Sequence, residues 1–258
     1  MRLIKKILLI LSLLLFLESH VFAVEKTMIY GLGTKKNMQA ELIMPDGKGP
    51  FPGVLIVHTS GGVQDGDINF ATQLSEQGYA CLIPYYFDAY GISHNTRHLI
   101  TTRYADDVFA DLVDMLEYLK KNPKVKADRL GAVGFSMGGY WALILAAKGK
   151  IKAGVSYYGA LTGGGKGLDL KYRFDTVFNR DSSPVLILHG SLDSAVSARH
   201  AANLAVLLDE KKSPYELRIY IGAEHRYERA PNRDEDAAND SWKRTLEFFK
   251  KYLRGNRS

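Results

Sequence analysis

The chain has 258 residues, 46% of them hydrophobic and 11% aromatic, with 34 Lys+Arg against 28 Asp+Glu and a formal net charge of +6. It is too apolar and too weakly charged for a disordered protein, and its glycines and prolines follow no collagen or low-complexity pattern. The single cysteine, Cys81, excludes an internal disulfide, so stability has to come from burial.

Residues 1–23 read as a secretory signal peptide. Arg2, Lys5 and Lys6 form a positive start, residues 7–17 an apolar run broken only by Ser12, and the segment closes on Ala23 as signal peptidase requires. An apolar run of about 11 residues falls short of the roughly 20 that span a bilayer, so cleavage after Ala23 is expected rather than a retained anchor. The protein is then exported, periplasmic or secreted, with no stable membrane span. Removing the leader lowers the positive excess by two, and the remaining bases are interspersed with acids, which argues against a nucleic-acid partner. Residues 24–258 contain no Pro-, Gly- or Ser-rich linker and are expected to form a single domain.

Residues 27–31 and 38–44 read as an antiparallel hairpin. Short, continuous apolar runs follow at 54–57, 79–83, 130–133, 153–158 and 185–188. They are too short for helices and lack polar alternation, which suits strands buried on both faces of a parallel sheet. Helical periodicity fills the gaps at 101–121, 137–147, 198–209 and 234–253. Strands alternating with helices predict an α/β fold, a mostly parallel, doubly wound sheet with helices on both faces. Function in such a sheet sits at the carboxyl ends of the strands.

At one such end the run 130–133 leads into Gly134-Phe135-Ser136-Met137-Gly138-Gly139 and then into a helical segment. This is G-x-S-x-G in a strand, turn, helix context, where the glycines permit a sharp turn that lifts the serine hydroxyl above the sheet. A serine needs a base and an orienting carboxylate. Asp193 follows the strand run 185–188, and His225 follows the alternating segment 215–221, in the order Ser, Asp, His. The oxyanion of an acyl-transfer step needs two donors. One is the N–H of Met137, after the nucleophile, and the other comes from the loop His58-Thr59-Ser60-Gly61-Gly62, with Ser60 preferred over Thr59 and Gly61. His189, just before Gly190, reads as a residue that satisfies loop backbone groups. His94 and His98 have no third ligand in the sequence, so no metal site is expected. Cys81 reads as a core residue in its strand.

With these residues in place the chain resembles the dienelactone hydrolase family of the α/β-hydrolase superfamily over about residues 42–253. The likeness rests on Gly134 to Gly139, on Pro52-Gly53-Val54, on Val155-Ser156-Tyr157-Tyr158-Gly159, on His189-Gly190 with Asp193, and on Gly222-Ala223-Glu224-His225. It extends to Ala237, Ala238, Trp242, Leu246, Phe248, Phe249 and Leu253. The resemblance implies the α/β-hydrolase fold and an enzyme without metal or cofactor, acting on a small-molecule ester or lactone. It also implies that Arg229, four residues after the histidine, meets a substrate carboxylate. The sequence departs from dienelactone-cleaving members, which carry a cysteine nucleophile and a glutamate after the first long strand. Here these positions hold Ser136 and Thr59, and the family's second arginine is missing from Tyr85-Tyr86-Phe87-Asp88-Ala89. Tyr85, Tyr86 and Phe87 are expected instead as an aromatic wall for an aromatic or hydrophobic ester. The alternatives are a serine peptidase with the same triad and a non-catalytic binding protein on the same scaffold.

Overall fold

The buried apolar runs become strands of one eight-stranded sheet in the computed structural model, which describes residues 24–161 and 170–255. The expected leader lies outside the described residues. In chain order the elements are β1 (Glu25–Leu32), β2 (Met38–Met44), β3 (Phe51–Val57), α1 (Asp65–Glu76), β4 (Ala80–Pro84), α2 (Ala105–Lys121) and β5 (Val125–Phe135). They continue with α3 (Met137–Ala147), β6 (Ala153–Tyr157), β7 (Val185–Gly190), α4 (Ala198–Lys211), β8 (Tyr215–Tyr220) and α5 (Glu235–Phe249). The strand order is β1-β2-β4-β3-β5-β6-β7-β8. The β1–β2 and β2–β4 pairs are antiparallel and the other five are parallel.

Successive strand residues point to opposite faces, and both faces are covered. Leu55, Val57 and Ala132 pack with α2, α3 and α4, whereas Val54, Ile56 and Val133 pack with α1 and α5. All eleven residues of α3, including Trp141, Leu143, Ile144 and Leu145, are buried. A helix this apolar on every side belongs in the interior, where each large side chain contributes about 1.5–3 kcal/mol. No helix among the described residues is long and apolar enough to cross a membrane.

Three details differ from the sequence reading. Helix α2 starts at Ala105 rather than at 101, because residues 97–104 close as tight turns in which the Thr101 N–H donates to His98 O and the Tyr104 N–H to Leu99 O. Helix α5 ends at Phe249, and a wider π-type turn, Lys250–Arg254, carries Leu253 into the core. Helix α1 has no counterpart in that reading; its buried positions are Asp67, Ala71, Leu74 and Ser75, a polar mixture that hides its period.

The topology also fixes where a ligand would sit. Strand β3 lies between β4 and β5, so the chain steps from β3 to one side through α1 and then back across it through α2. The connections diverge there, leaving a crevice at the carboxyl ends of β3 and β5.

Candidate active site

Ser136 stands at that crevice, between the end of β5 and the first residue of α3, with φ 53° and ψ −115°. A non-glycine residue in this left-handed region is strained, and the surroundings have to hold it there. They do so through close backbone contact. A Cβ on Gly134 would lie 2.0 Å from Gly138 O, and one on Gly138 would lie 1.9 Å from Val57 O. Only glycine lets β5, α3 and the end of β3 meet so closely. The Ser136 N–H donates to Tyr157 O (2.9 Å), tying the turn to β6.

His225 Nε2 lies 3.1 Å from Ser136 Oγ, and His225 Nδ1 lies 2.7 Å from Asp193 Oδ2. The loops after β7 and β8 are stitched together by Ser191 N–H to Tyr220 O (2.8 Å), Leu192 N–H to Ala223 O (2.9 Å) and Gly222 N–H to Ser191 Oγ (2.9 Å). That stitching brings Asp193 and His225 into register although they sit in separate loops. Asn232 Nδ2 donates to His225 O (2.9 Å), and the Tyr158 ring meets the His225 ring edge-on at 4.5 Å.

The Asp193 side chain is fully buried. Its Oδ1 accepts from the Ala195 and Val196 N–H groups (2.9 and 2.7 Å), and its Oδ2 also lies 3.2 Å from His189 Nε2. Burial alone would raise its pKa, but the hydrogen bonds from His189, His225 and Val196 outweigh it and hold the carboxyl well below the usual range. His189 Nε2 donates to Val196 O (2.7 Å), the backbone role expected of it. Its approach to Asp193 is an addition, and the only sequence signal for it is the spacing of four residues.

Met137 is the first residue of α3, so its N–H has no helical carbonyl to meet. In the loop after β3, the Gly61 N–H donates to Thr59 Oγ1 (3.1 Å) and the Gly62 N–H to Thr59 O (3.3 Å). The Gly61 N–H is therefore already engaged, which leaves the Ser60 and Thr59 N–H groups as the candidates for the second donor. A hydroxyl, an imidazole and a buried carboxylate in sequence, beside two segments with amides to offer, can move a proton from oxygen to nitrogen while charge develops nearby.

Residues 38–253 match the dienelactone hydrolase family. The chain belongs to that family. A carboxymethylenebutenolidase of Rhodococcus opacus is 29% identical over 193 residues, 72% of this chain and 75% of the relative. A Bradyrhizobium protein provisionally named a 2-oxo-3-(5-oxofuran-2-ylidene)propanoate lactonase is 28% identical over 85% of this chain and 91% of its own. Among solved structures, a provisionally named dienelactone hydrolase from Klebsiella pneumoniae superposes with a TM-score of 0.78 at 26% identity, over 89% of this chain and all of the other.

Within this dienelactone hydrolase fold, the structure gives two of the residues expected at the substrate other partners. Tyr86 does not form a wall of the site. It is fully buried, with Phe87 beside it, because the turn after β4 folds inward and stacks Tyr86 on His58 (ring centroids 4.0 Å apart). Tyr85 remains half-buried, its hydroxyl turned to Glu41 Oε2 (3.4 Å). Arg229 is engaged in ion pairs within the protein. Its Nη1 lies 3.1 Å from Asp67 Oδ1, its Nε 2.5 Å from Glu228 Oε1, and its guanidinium 4.5 Å from the centre of the Phe135 ring. The Arg229 side chain is 10% exposed, that of Asp67 0% and that of Glu228 9%. Burial opposes the charge on Arg229, but Tyr158, Glu228 and Asp67 raise its pKa above the ordinary value.

Arg229 thus clamps α1 and the loop after β8 against the residue preceding Ser136. Arg229→Met is expected to lower unfolding stability by about 3–5 kcal/mol, because it strands two buried carboxylates. Urea unfolding of the purified variant measures this. A stable variant with a raised KM only for carboxylate-bearing esters would instead restore the substrate role.

Proposed function

We propose that this protein is a serine hydrolase that cleaves a carboxylic ester or lactone through an acyl-enzyme. The observation that carries the reading is the unbroken hydrogen-bonded chain from Ser136 Oγ through His225 to Asp193 Oδ2, with the serine held on a strained turn at the crevice. His225 Nε2 takes the Ser136 proton as Oγ attacks the ester carbonyl. The tetrahedral oxyanion then accepts hydrogen bonds from the Ser60 and Met137 N–H groups. Collapse breaks the bond to the alcohol oxygen, which receives the proton from His225. Water next gives a proton to His225 as it attacks the acyl carbon; the acyl–Oγ bond then breaks, His225 returns that proton to Ser136 Oγ, and the acid is released. Asp193 keeps the proton of the resting imidazole on Nδ1 and faces the positive charge that forms. Cys81 takes no part: it is buried in β4, and burial pushes its thiol above its ordinary pKa.

Membership of the dienelactone hydrolase family supports hydrolysis, and the Ser136 chemistry narrows it to acyl transfer. The departure at Thr59 and the engagement of Arg229 point away from a substrate selected by its carboxylate. A panel of p-nitrophenyl esters, simple lactones and short peptide amides tests this reading. Turnover of esters or lactones, with stoichiometric labelling by a fluorophosphonate, is expected. Turnover of the peptide amides alone would favour a peptidase, and no turnover or labelling would leave a binding protein.

A further inference from the structure

His58 is the first residue of the loop that carries Ser60, and the reaction above gives it no part. Its ring is fully buried, stacked on Tyr86 with an interplanar angle of 12° and met edge-on by Phe87 at 5.0 Å. The Tyr86 hydroxyl donates to His58 O (3.0 Å), so ring and backbone are both held. His58 Nδ1 lies 2.7 Å from Thr59 O. A carbonyl can only accept, so Nδ1 carries the proton. Burial lowers the His58 pKa to about 4, outweighing the upward pull of the Thr59 bond, and the ring is neutral with that one N–H. Its other nitrogen, Nε2, is buried with no partner among the described residues. A phenylalanine in the same space would avoid that cost, so packing alone does not account for the imidazole.

We infer that His58 is a positioning residue for the oxyanion hole, fixing the plane of the Thr59–Ser60 peptide through the Thr59 carbonyl and so aiming the Ser60 N–H at the reacting carbonyl oxygen. The peptide is trans, the two cis bonds of the described residues being Gly49–Pro50 and Ala230–Pro231, and in a trans peptide C=O and N–H point in opposite directions. Anchoring the Thr59 oxygen toward the buried ring turns the Ser60 N–H away from it. Gly61 and Gly62 follow, Gly62 with φ 78°, and such a segment rotates easily unless it is tied. The other tie to the same oxygen is the longer Gly62 N–H bond at 3.3 Å. Gly138, pressed against Val57 O and His58 O, brings the Met137 amide alongside.

The inference rests on the acyl-transfer reading, and the experiment separates the two. Three variants of the full chain are compared: His58→Phe, which fills the space without a donor, His58→Asn, whose amide nitrogen stands near Nδ1, and His58→Gln, whose amide nitrogen reaches beyond it. His58→Phe is expected to lose on the order of 10²–10³ in kcat with KM nearly unchanged, the loss seen when one oxyanion donor is removed. Affinity for a trifluoromethyl ketone, whose adduct carries the oxyanion, should fall in parallel. His58→Asn should stay within about tenfold of the parent. If His58→Phe fails to fold, the Asn and Gln variants decide, with Asn active and Gln impaired. Unchanged kcat in His58→Phe, or equal activity of Asn and Gln, overturns the inference. If Ser136→Ala keeps full turnover, the acyl-transfer reading itself has failed; if it is inactive while His58→Phe is normal, only the role of His58 has.

Discussion

Ser136→Ala is expected to lower ester turnover by a factor on the order of 10⁶, about 8 kcal/mol of barrier, while leaving the fold intact. The hydroxyl is the group paired with His225 Nε2, and in the proposed reaction its oxygen makes the bond to the acyl carbon, a step that alanine cannot perform. The backbone bonds at this position, Ser136 N–H to Tyr157 O and Tyr140 N–H to Ser136 O, do not involve the side chain and survive the substitution. Ser136→Gly sharpens the test. Glycine accepts φ 53° without the Cβ clash, so this variant should be equally inactive yet more stable by about 1 kcal/mol. Steady-state kinetics and urea unfolding on the same preparations measure both quantities. Full turnover in either variant would remove Ser136 from the chemistry. An inactive glycine variant with lowered stability would mean that the turn is not strained in the way its dihedral angles state.

The three residues of the hydrogen-bonded chain are legible in the sequence because each is announced locally. Ser136 lies between glycines after a continuous apolar strand, and Asp193 and His225 each follow a strand and a glycine. Their meeting follows from parallel topology, which gathers strand ends at one edge of the sheet. What the sequence does not announce is who else arrives there. Asp67 and Arg229 are separated by 162 residues, and nothing near either shows that one neutralises the other. Arg229 therefore resembles a free substrate ligand until α1 is seen beneath it. Helix α1 is itself obscured, because the buried side that meets the sheet includes Asp67 and Ser75 as well as Ala71 and Leu74. Tyr86 and Phe87 mislead for the opposite reason. An aromatic run at a strand end marks a binding wall or a core corner equally well, and the His58 ring, available for stacking, decides for the core.

Asp193→Asn should lower turnover by a factor on the order of 10⁴ with little change in KM, the signature of a histidine held in the wrong tautomer. The direction follows from the four donors around the carboxylate. Oδ1 accepts from the Ala195 and Val196 N–H groups, and Oδ2 faces His225 Nδ1 and His189 Nε2. An asparagine must place its oxygen against the two backbone amides, since its NH₂ group there would meet two donors. The NH₂ then faces His225 and donates to Nδ1, which drives the ring proton to Nε2, the nitrogen that has to accept the Ser136 proton. The same NH₂ confronts the donor at His189 Nε2, so a modest loss of stability accompanies the loss of rate. Nitrogen-15 NMR of histidine-labelled protein reads the tautomer directly. The parent should show a proton on His225 Nδ1 and the variant one on Nε2. If the Asp193→Asn protein retains the Nδ1 proton and turns over within about tenfold of the parent, the carboxylate does not set the base.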